Sequence, residues 1–189
     1  MSEKSYLSAG DDVPAEEVVR VGLNGFGRIG RNIFRAVQEN PRIDLVGIND
    51  VMSFDDMAYL AKYDSVMPRL DGVELDEDQL TIGGTSVDLY NVQSPAELPW
   101  DDLDVDVALE CTGIFRTYED AWAHLEAGAD KVVISAPPKG DEPVKQIVYG
   151  VNHDEYDGED VVSNASCTTN SITPVAKVLD DEFGIVSRQ

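Results

Sequence analysis

VVRVGLNGFGRIGRNIFRAV, residues 18–37, decides the fold. Its first five residues, 18–22, form an apolar run of strand type, and Ile29, Ile33, Phe34 and Val37 recur at helical spacing within residues 28–38. Between run and helix stands Asn24, Gly25, Phe26, Gly27, Arg28, Ile29, Gly30, a G-x-G-x-x-G. A glycine turn placed between a strand and a helix can bind a pyrophosphate. Gly25 allows the tight turn, Gly27 lets the backbone approach the ligand, Gly30 permits close packing, and the helix N-terminus offers unpaired N–H groups. A second apolar run, residues 45–48, completes a strand–helix–strand unit and leads into Asn49 and Asp50. Asp50 lies where an acidic side chain can accept hydrogen bonds from the adenosine ribose, and a carboxylate there repels a 2′-phosphate, so NAD is expected rather than NADP.

The pattern continues outward. Ser53 opens a second helix through Met57, Ala58, Leu60 and Ala61, residues 71–84 read as acidic and turn-rich, and further strands are expected at 87–92, 105–109, 132–135 and 147–151. Thr117 begins a helix to about Ala127, with Asp120 three residues on as in a capping box and Gly128 as its stop. Strands alternating with helices predict an α/β fold with a Rossmann-type, doubly wound, mostly parallel sheet.

Composition limits the function. Asp and Glu total 37 of 189 residues against 14 Lys and Arg, a net charge of −23. That field repels nucleic acid and anionic membranes, so neither is expected as a partner. The acidity predicts adaptation to high salt rather than only a solvated charged face. Two cysteines, Cys111 and Cys167, lack the spacing of a metal site, and no metal is expected. No run approaches a membrane span or a signal peptide, and the expected location is cytoplasmic.

A second motif, SNASCTTN at 163–170, stands between the strand-like Val161 and Val162 and a helical pattern at Ile172, Val175, Ala176, Val178 and Leu179. Cys167 then lies at a helix N-terminus, whose positive end favours a thiolate and so a nucleophile. Ser166, Thr168 and Thr169 add hydroxyls to an anion-binding helix end; capping residues around an inert cysteine fit the spacing equally well. Pro174 either kinks the helix or belongs to its first turn. Cys111 is expected in the core, and His124 as an exposed or half-buried structural histidine.

Read together, NGFGRIGR (24–31), Asn49 with Asp50, YDS (63–65), CTGIF (111–115), KVVISAP (131–137), GVNH (150–153) and SNASCTTN resemble the phosphorylating glyceraldehyde-3-phosphate dehydrogenases. The resemblance implies a homotetrameric glycolytic enzyme that oxidises glyceraldehyde 3-phosphate with NAD and captures the acyl group with inorganic phosphate, giving 1,3-bisphosphoglycerate. It implies Cys167 as nucleophile, Ser166 and Thr168 at the anion site, Arg28 and Ile29 in the pyrophosphate loop, and Asp50 as the ribose acid. Thr112, Gly113 and Ser135 match positions near the dinucleotide. Erythrose-4-phosphate dehydrogenases share the cysteine motif, and a dinucleotide-binding fragment without turnover is the reading from another class. Family members are nearly twice as long, with the catalytic His and the substrate-phosphate Arg beyond the position of Gln189. The expected organisation is therefore an acidic N-terminal extension (1–17), an NAD-binding domain (18–166) and the truncated start of a catalytic domain (167–189). His153, in the GVNH turn, has no family role as the base.

Overall fold

Val21 and Leu23 turn to one face of the sheet while Gly22 between them faces the other, where a side chain would run into the Trp100 ring at 3.0 Å. This alternation belongs to β1 (Val19–Asn24), the central strand of the fold. The computed structural model describes residues 18–38, 40–82 and 85–186, together with Pro14. The acidic extension at 1–17 and the last three residues of the truncated segment thus fall largely outside the described residues.

After β1 come α1 (Arg28–Val37), β2 (Ile43–Asn49), α2 (Phe54–Lys62), β3 (Glu74–Asp76), β4 (Gln79–Ile82) and β5 (Thr85–Tyr90). They are followed by β6 (Val107–Glu110), α3 (Tyr118–Glu126), β7 (Lys131–Ile134), β8 (Lys145–Gln146), β9 (Val161–Ser163) and α4 (Cys167–Phe183). The nine strands among the described residues form one sheet in the order β3-β4-β5-β2-β1-β6-β7-β9-β8. Every pairing is parallel except β3 with β4 and β4 with β5. The expected mostly parallel α/β sheet is present, and the chain leaves β1 towards β2 on one side and returns to β6 on the other. That reversal opens a crevice at the carboxyl ends of β1 and β6, where sheets of this class bind ligands.

Each face of the sheet has its own core. Val21, Leu23, Phe26, Phe34, Ile48 and Met57 pack together under α1 and α2, and Trp100, Ala108, Ala121, Val132 and Ile134 under α3. α2 and α3 begin where the sequence places caps. Ser53 Oγ accepts the Asp56 N–H at 3.2 Å and Thr117 Oγ1 the Asp120 N–H at 3.0 Å. Gly128, at φ 107°, reverses the chain after α3.

Two expectations are corrected. The acidic segment 71–84 contains the β3–β4 hairpin, because Leu80 and Ile82 alternate with Gln79 and Thr81 and bury one face of the strand within a sequence dominated by acids. No strand covers 147–151. β8 ends at Gln146, Ile147 donates one further N–H to Ser163 O at 2.8 Å, and the chain then turns, with Asn152 Oδ1 accepting the Val148 N–H at 2.8 Å. Pro174 lies inside α4, well past the first turn, where it cannot donate to the carbonyl of Asn170.

Candidate functional site

Parallel pairing brings the chemistry-bearing residues to one edge. Asn24 pairs with Asn49 on β2 and with Glu110 on β6, Glu110 with Ile134 on β7, and Ile134 with Ser163 on β9. One step beyond this row stand Gly25, Asp50, Cys111, Ser135 and Asn164, at the carboxyl ends of five neighbouring strands. The glycine turn, Asp50, the Thr112 loop, Ser135 and the cysteine motif therefore line the same crest of the sheet.

The glycine turn is tightly built on its inner side and open on its outer side. At Gly25, φ is 100°, and a Cβ would lie 2.6 Å from Thr112 N, so only glycine fits between β1 and β6. A Cβ on Gly30 would meet Gly25 O at 2.0 Å, whereas one on Gly27 would meet nothing within 4 Å. Backbone at half-buried Gly27 thus has open space on its outer side beside the first turn of α1, and this cradle fits a pyrophosphate. Arg28 and Ile29 are exposed at the same helix start, while the side chains of Asn24 and Phe26 are buried beneath it.

Asp50 is half-buried, and its carboxylate holds the turn: Oδ2 accepts the Phe26 N–H at 2.6 Å and Oδ1 the Met52 N–H at 3.1 Å. Arg31 braces the same turn from below, donating to Phe26 O at 3.0 Å with its guanidinium 4.0 Å from Asp64. The Asp64 carboxyl is held below its ordinary value by the N–H groups of Met67 and Val66, with Arg31 and Arg35 adding to the effect. The YDS segment therefore supports the glycine turn. Opposite charge across 31 and 64 is the only sign of this in the sequence.

On the other wall, Thr112 is half-buried and Gly113 exposed, and Thr112 Oγ1 accepts the Ile114 N–H at 3.0 Å. Beneath it, Glu110 is 1% exposed and His124 0% exposed. His124 is structural, as expected, but wholly buried, because α3 turns it inward between Trp100 and Glu110. Half-buried Ser135 donates its backbone N–H to Glu110 O at 2.9 Å. Cys111 is a core residue, and burial pushes its thiol up to about 11.

The cysteine motif forms a sharp strand-to-helix turn. Ala165 is buried at φ 64°, a left-handed conformation costly for a residue with a Cβ, and its N–H is held by Ser163 Oγ at 2.9 Å. Ser166 caps α4 by accepting the Thr169 N–H at 3.0 Å, and its hydroxyl lies 2.9 Å from that of Thr168 and 2.8 Å from that of Thr169. Asn170 Nδ2 closes the turn onto the carbonyls of Asn164 and Ser166. Cys167, the first residue of α4, and Thr168 beside it are exposed. Among the described residues no group of three or more His, Cys, Asp or Glu is placed to hold a metal, and no helix is long and apolar enough to cross a membrane.

Residues 19–118 match the family described as "Glyceraldehyde 3-phosphate dehydrogenase, NAD binding domain". The chain is 69% identical over 175 residues to the glyceraldehyde-3-phosphate dehydrogenase of Haloarcula vallismortis, covering 92% of this chain and 52% of that protein. It is 50% identical over 170 residues to the cytosolic glyceraldehyde-3-phosphate dehydrogenase of Leishmania mexicana, covering 89% and 51%. Against glyceraldehyde-3-phosphate dehydrogenase A of Escherichia coli K12 the identity is 49% over 169 residues, covering 89% and 50%. The chain spans about half the length of the curated relatives it matches. The wound sheet, the glycine turn that fits NAD and these matches lead to one conclusion: the chain belongs to the glyceraldehyde-3-phosphate dehydrogenase family and carries its NAD-binding domain.

Proposed function

We propose that this chain forms the cofactor-binding and nucleophile-bearing part of a phosphorylating, NAD-dependent glyceraldehyde-3-phosphate dehydrogenase. The observation that carries the reading is the exposed Cys167, set at the N-terminus of a 17-residue helix on the same sheet edge as the glycine turn. NAD bound in the crevice supplies the hydride acceptor. The chain's own residues supply the nucleophile and its anion-binding surroundings. The Cys167 sulfur adds to the aldehyde carbon, and after oxidation it holds the acyl group as a thioester, which keeps enough acyl-transfer potential for inorganic phosphate to take the group off. Ser166 and Thr168 contribute hydroxyls beside the positive end of α4, an arrangement suited to the incoming phosphate. Asp50 accepts from the ribose hydroxyls, and Thr112, Gly113 and Ser135 line the opposite wall.

Neither histidine of the chain fits the role of general base. Both ring nitrogens of His124 are engaged in the core, and Nδ1 of His153 accepts the Gly150 N–H at 3.1 Å. The base and the group that grips the substrate phosphate are assigned to chain that follows Gln189 in the full-length protein. In support, none of the side chains of α4 is buried, and Ile172, Val175, Leu179 and Phe183 are exposed, as for a helix that opens a further domain. By the same reading the protein is cytoplasmic, homotetrameric, glycolytic and adapted to salt through its net charge of −23. Alkylation of the full-length protein tests the assignment: label on Cys167, with activity lost in proportion, supports it, and full activity after stoichiometric labelling of Cys167 refutes it.

A further inference from the structure

A chain of buried polar side chains runs beneath the crevice. Trp100 Nε1 lies 3.0 Å from His124 Nδ1, and His124 Nε2 lies 3.1 Å from Glu110 Oε2. An indole N–H can only donate, so Nδ1 accepts, the imidazole is neutral, and its proton sits on Nε2, aimed at Glu110. Asn24 Nδ2 donates to the same Oε2 at 2.6 Å, while Asn24 Oδ1 takes the Asn49 Nδ2–H at 2.7 Å. The other oxygen, Oε1, receives the Thr112 N–H at 2.8 Å and the Thr112 hydroxyl. A buried carboxylate thus accepts four hydrogen bonds, none from a Lys or Arg. Two come from the Thr112 loop, one from the residue that opens the glycine turn, and one from α3.

Three of these donors belong to the two walls of the crevice. Asn24 precedes Gly25, and the Thr112 backbone stands against Gly25 so closely that no Cβ fits. Burying a carboxylate without a cationic partner is costly, and a core held only for stability is better served by apolar side chains. A satisfied polar network instead fixes one geometry. We propose that Glu110, with its partners oriented by the Nε2–H tautomer of His124, is a positioning residue that sets the spacing between the glycine turn and the Thr112 loop for the dinucleotide's pyrophosphate. This rests on the reading of the crevice as the NAD site.

The network makes a sharp demand on chemistry. In Glu110→Gln the amide must direct two N–H groups at existing donors. Asn24 cannot reverse, because its oxygen already receives Asn49, and His124 cannot exchange tautomers against the Trp100 N–H. Towards Thr112, the hydroxyl can turn but the backbone N–H cannot. In His124→Gln, by contrast, the amide oxygen can accept from Trp100 and its N–H can donate to Glu110, whereas His124→Leu fills the space and does neither.

The test is calorimetric titration of the full-length protein with NAD and with ADP-ribose, alongside kcat at saturating NAD and the thermal midpoint. Glu110→Gln and His124→Leu are expected to weaken both ligands about tenfold or more, with kcat at saturation within about threefold of wild type, and His124→Gln to stay within about threefold in affinity. Glu110→Gln with a lowered thermal midpoint and unchanged NAD affinity overturns the proposal. If Glu110→Gln does not fold, the His124 pair decides: Gln near wild type and Leu weakened supports it, and equal affinities of the two overturn it. Failure of the wild-type protein to bind NAD would instead refute the assignment of the crevice.

Discussion

The Phe26 N–H and the Asp50 carboxylate meet at 2.6 Å, so the acid at the end of β2 is also a tether for the glycine turn. On the proposed reading, loss of Asp50 therefore has two effects, removal of a charge that would repel a 2′-phosphate and release of the turn. For the Asp50→Ala protein, NAD should bind more weakly by roughly 1.5–3 kcal/mol per charged hydrogen bond lost, while NADP loses less, so the preference narrows. Titration with both cofactors checks this; a variant that keeps the full wild-type preference for NAD contradicts it.

Gly27 and Gly30 should respond oppositely to alanine. At Gly30 a Cβ would sit 2.0 Å from Gly25 O, so the first turn of α1 must move, and an overpacked site of this kind costs about 3 kcal/mol or more. Gly27 has φ −67° and open space, so Gly27→Ala should keep its stability to within about 1 kcal/mol. Its new methyl occupies the space read as the pyrophosphate's, and NAD affinity should fall at least about tenfold, or about 1.4 kcal/mol. Denaturation and titration of the two variants measure the split, and a Gly27→Ala protein with unaltered NAD affinity would show that the ligand approaches elsewhere.

Much of this site is legible in the sequence because regular periods announce it. The apolar runs around NGFGRIGR give β1, α1 and β2, and the parallel order then carries Asp50, Thr112, Ser135 and Cys167 to one edge. What escapes notice is polar chemistry without a local pattern. Glu110 ends an apolar strand and His124 lies in a helix, 14 residues apart in sequence, and only the packing of α3 over β6 brings their side chains together. The Arg31–Asp64 brace is hidden for the same reason. In the β3–β4 hairpin the alternation is present but is obscured by the surrounding acids, which mark solvent exposure on one face and say nothing of the other.

Repulsion among the acidic groups should make stability depend on salt. A net charge of −23 is unscreened in dilute buffer, where the Debye length is about 30 Å at 0.01 M, and screened to about 3 Å at 1 M. The thermal midpoint should rise from dilute buffer to molar KCl. A flat profile contradicts the reading of the charge as salt adaptation.

One ion pair gives a pH dependence whose sign is fixed. The Lys145 ammonium, 2.6 Å from Glu159 Oε1, together with the Asp157 N–H, holds the Glu159 carboxyl at about 2, below its ordinary 4.5. A depressed carboxyl stabilises the fold above its ordinary value, and that contribution fades as pH falls from 4.5 through about 2. Lys145→Met should therefore lower the thermal midpoint at pH 6, with the difference from wild type shrinking as pH approaches 2. A difference that does not change across this range would contradict the pairing. The half-buried, solvent-screened position keeps the effect small.

The role of Cys167 is tested most directly by mixing full-length protein with glyceraldehyde 3-phosphate and NAD in the absence of inorganic phosphate, then identifying the modified residue by peptide mass. A stoichiometric burst of NADH should appear, with the acyl group on Cys167, and phosphate added afterwards should release 1,3-bisphosphoglycerate and restore steady turnover. NADH production that runs on unchanged without phosphate, or an acyl group carried by any residue other than Cys167, would contradict the account.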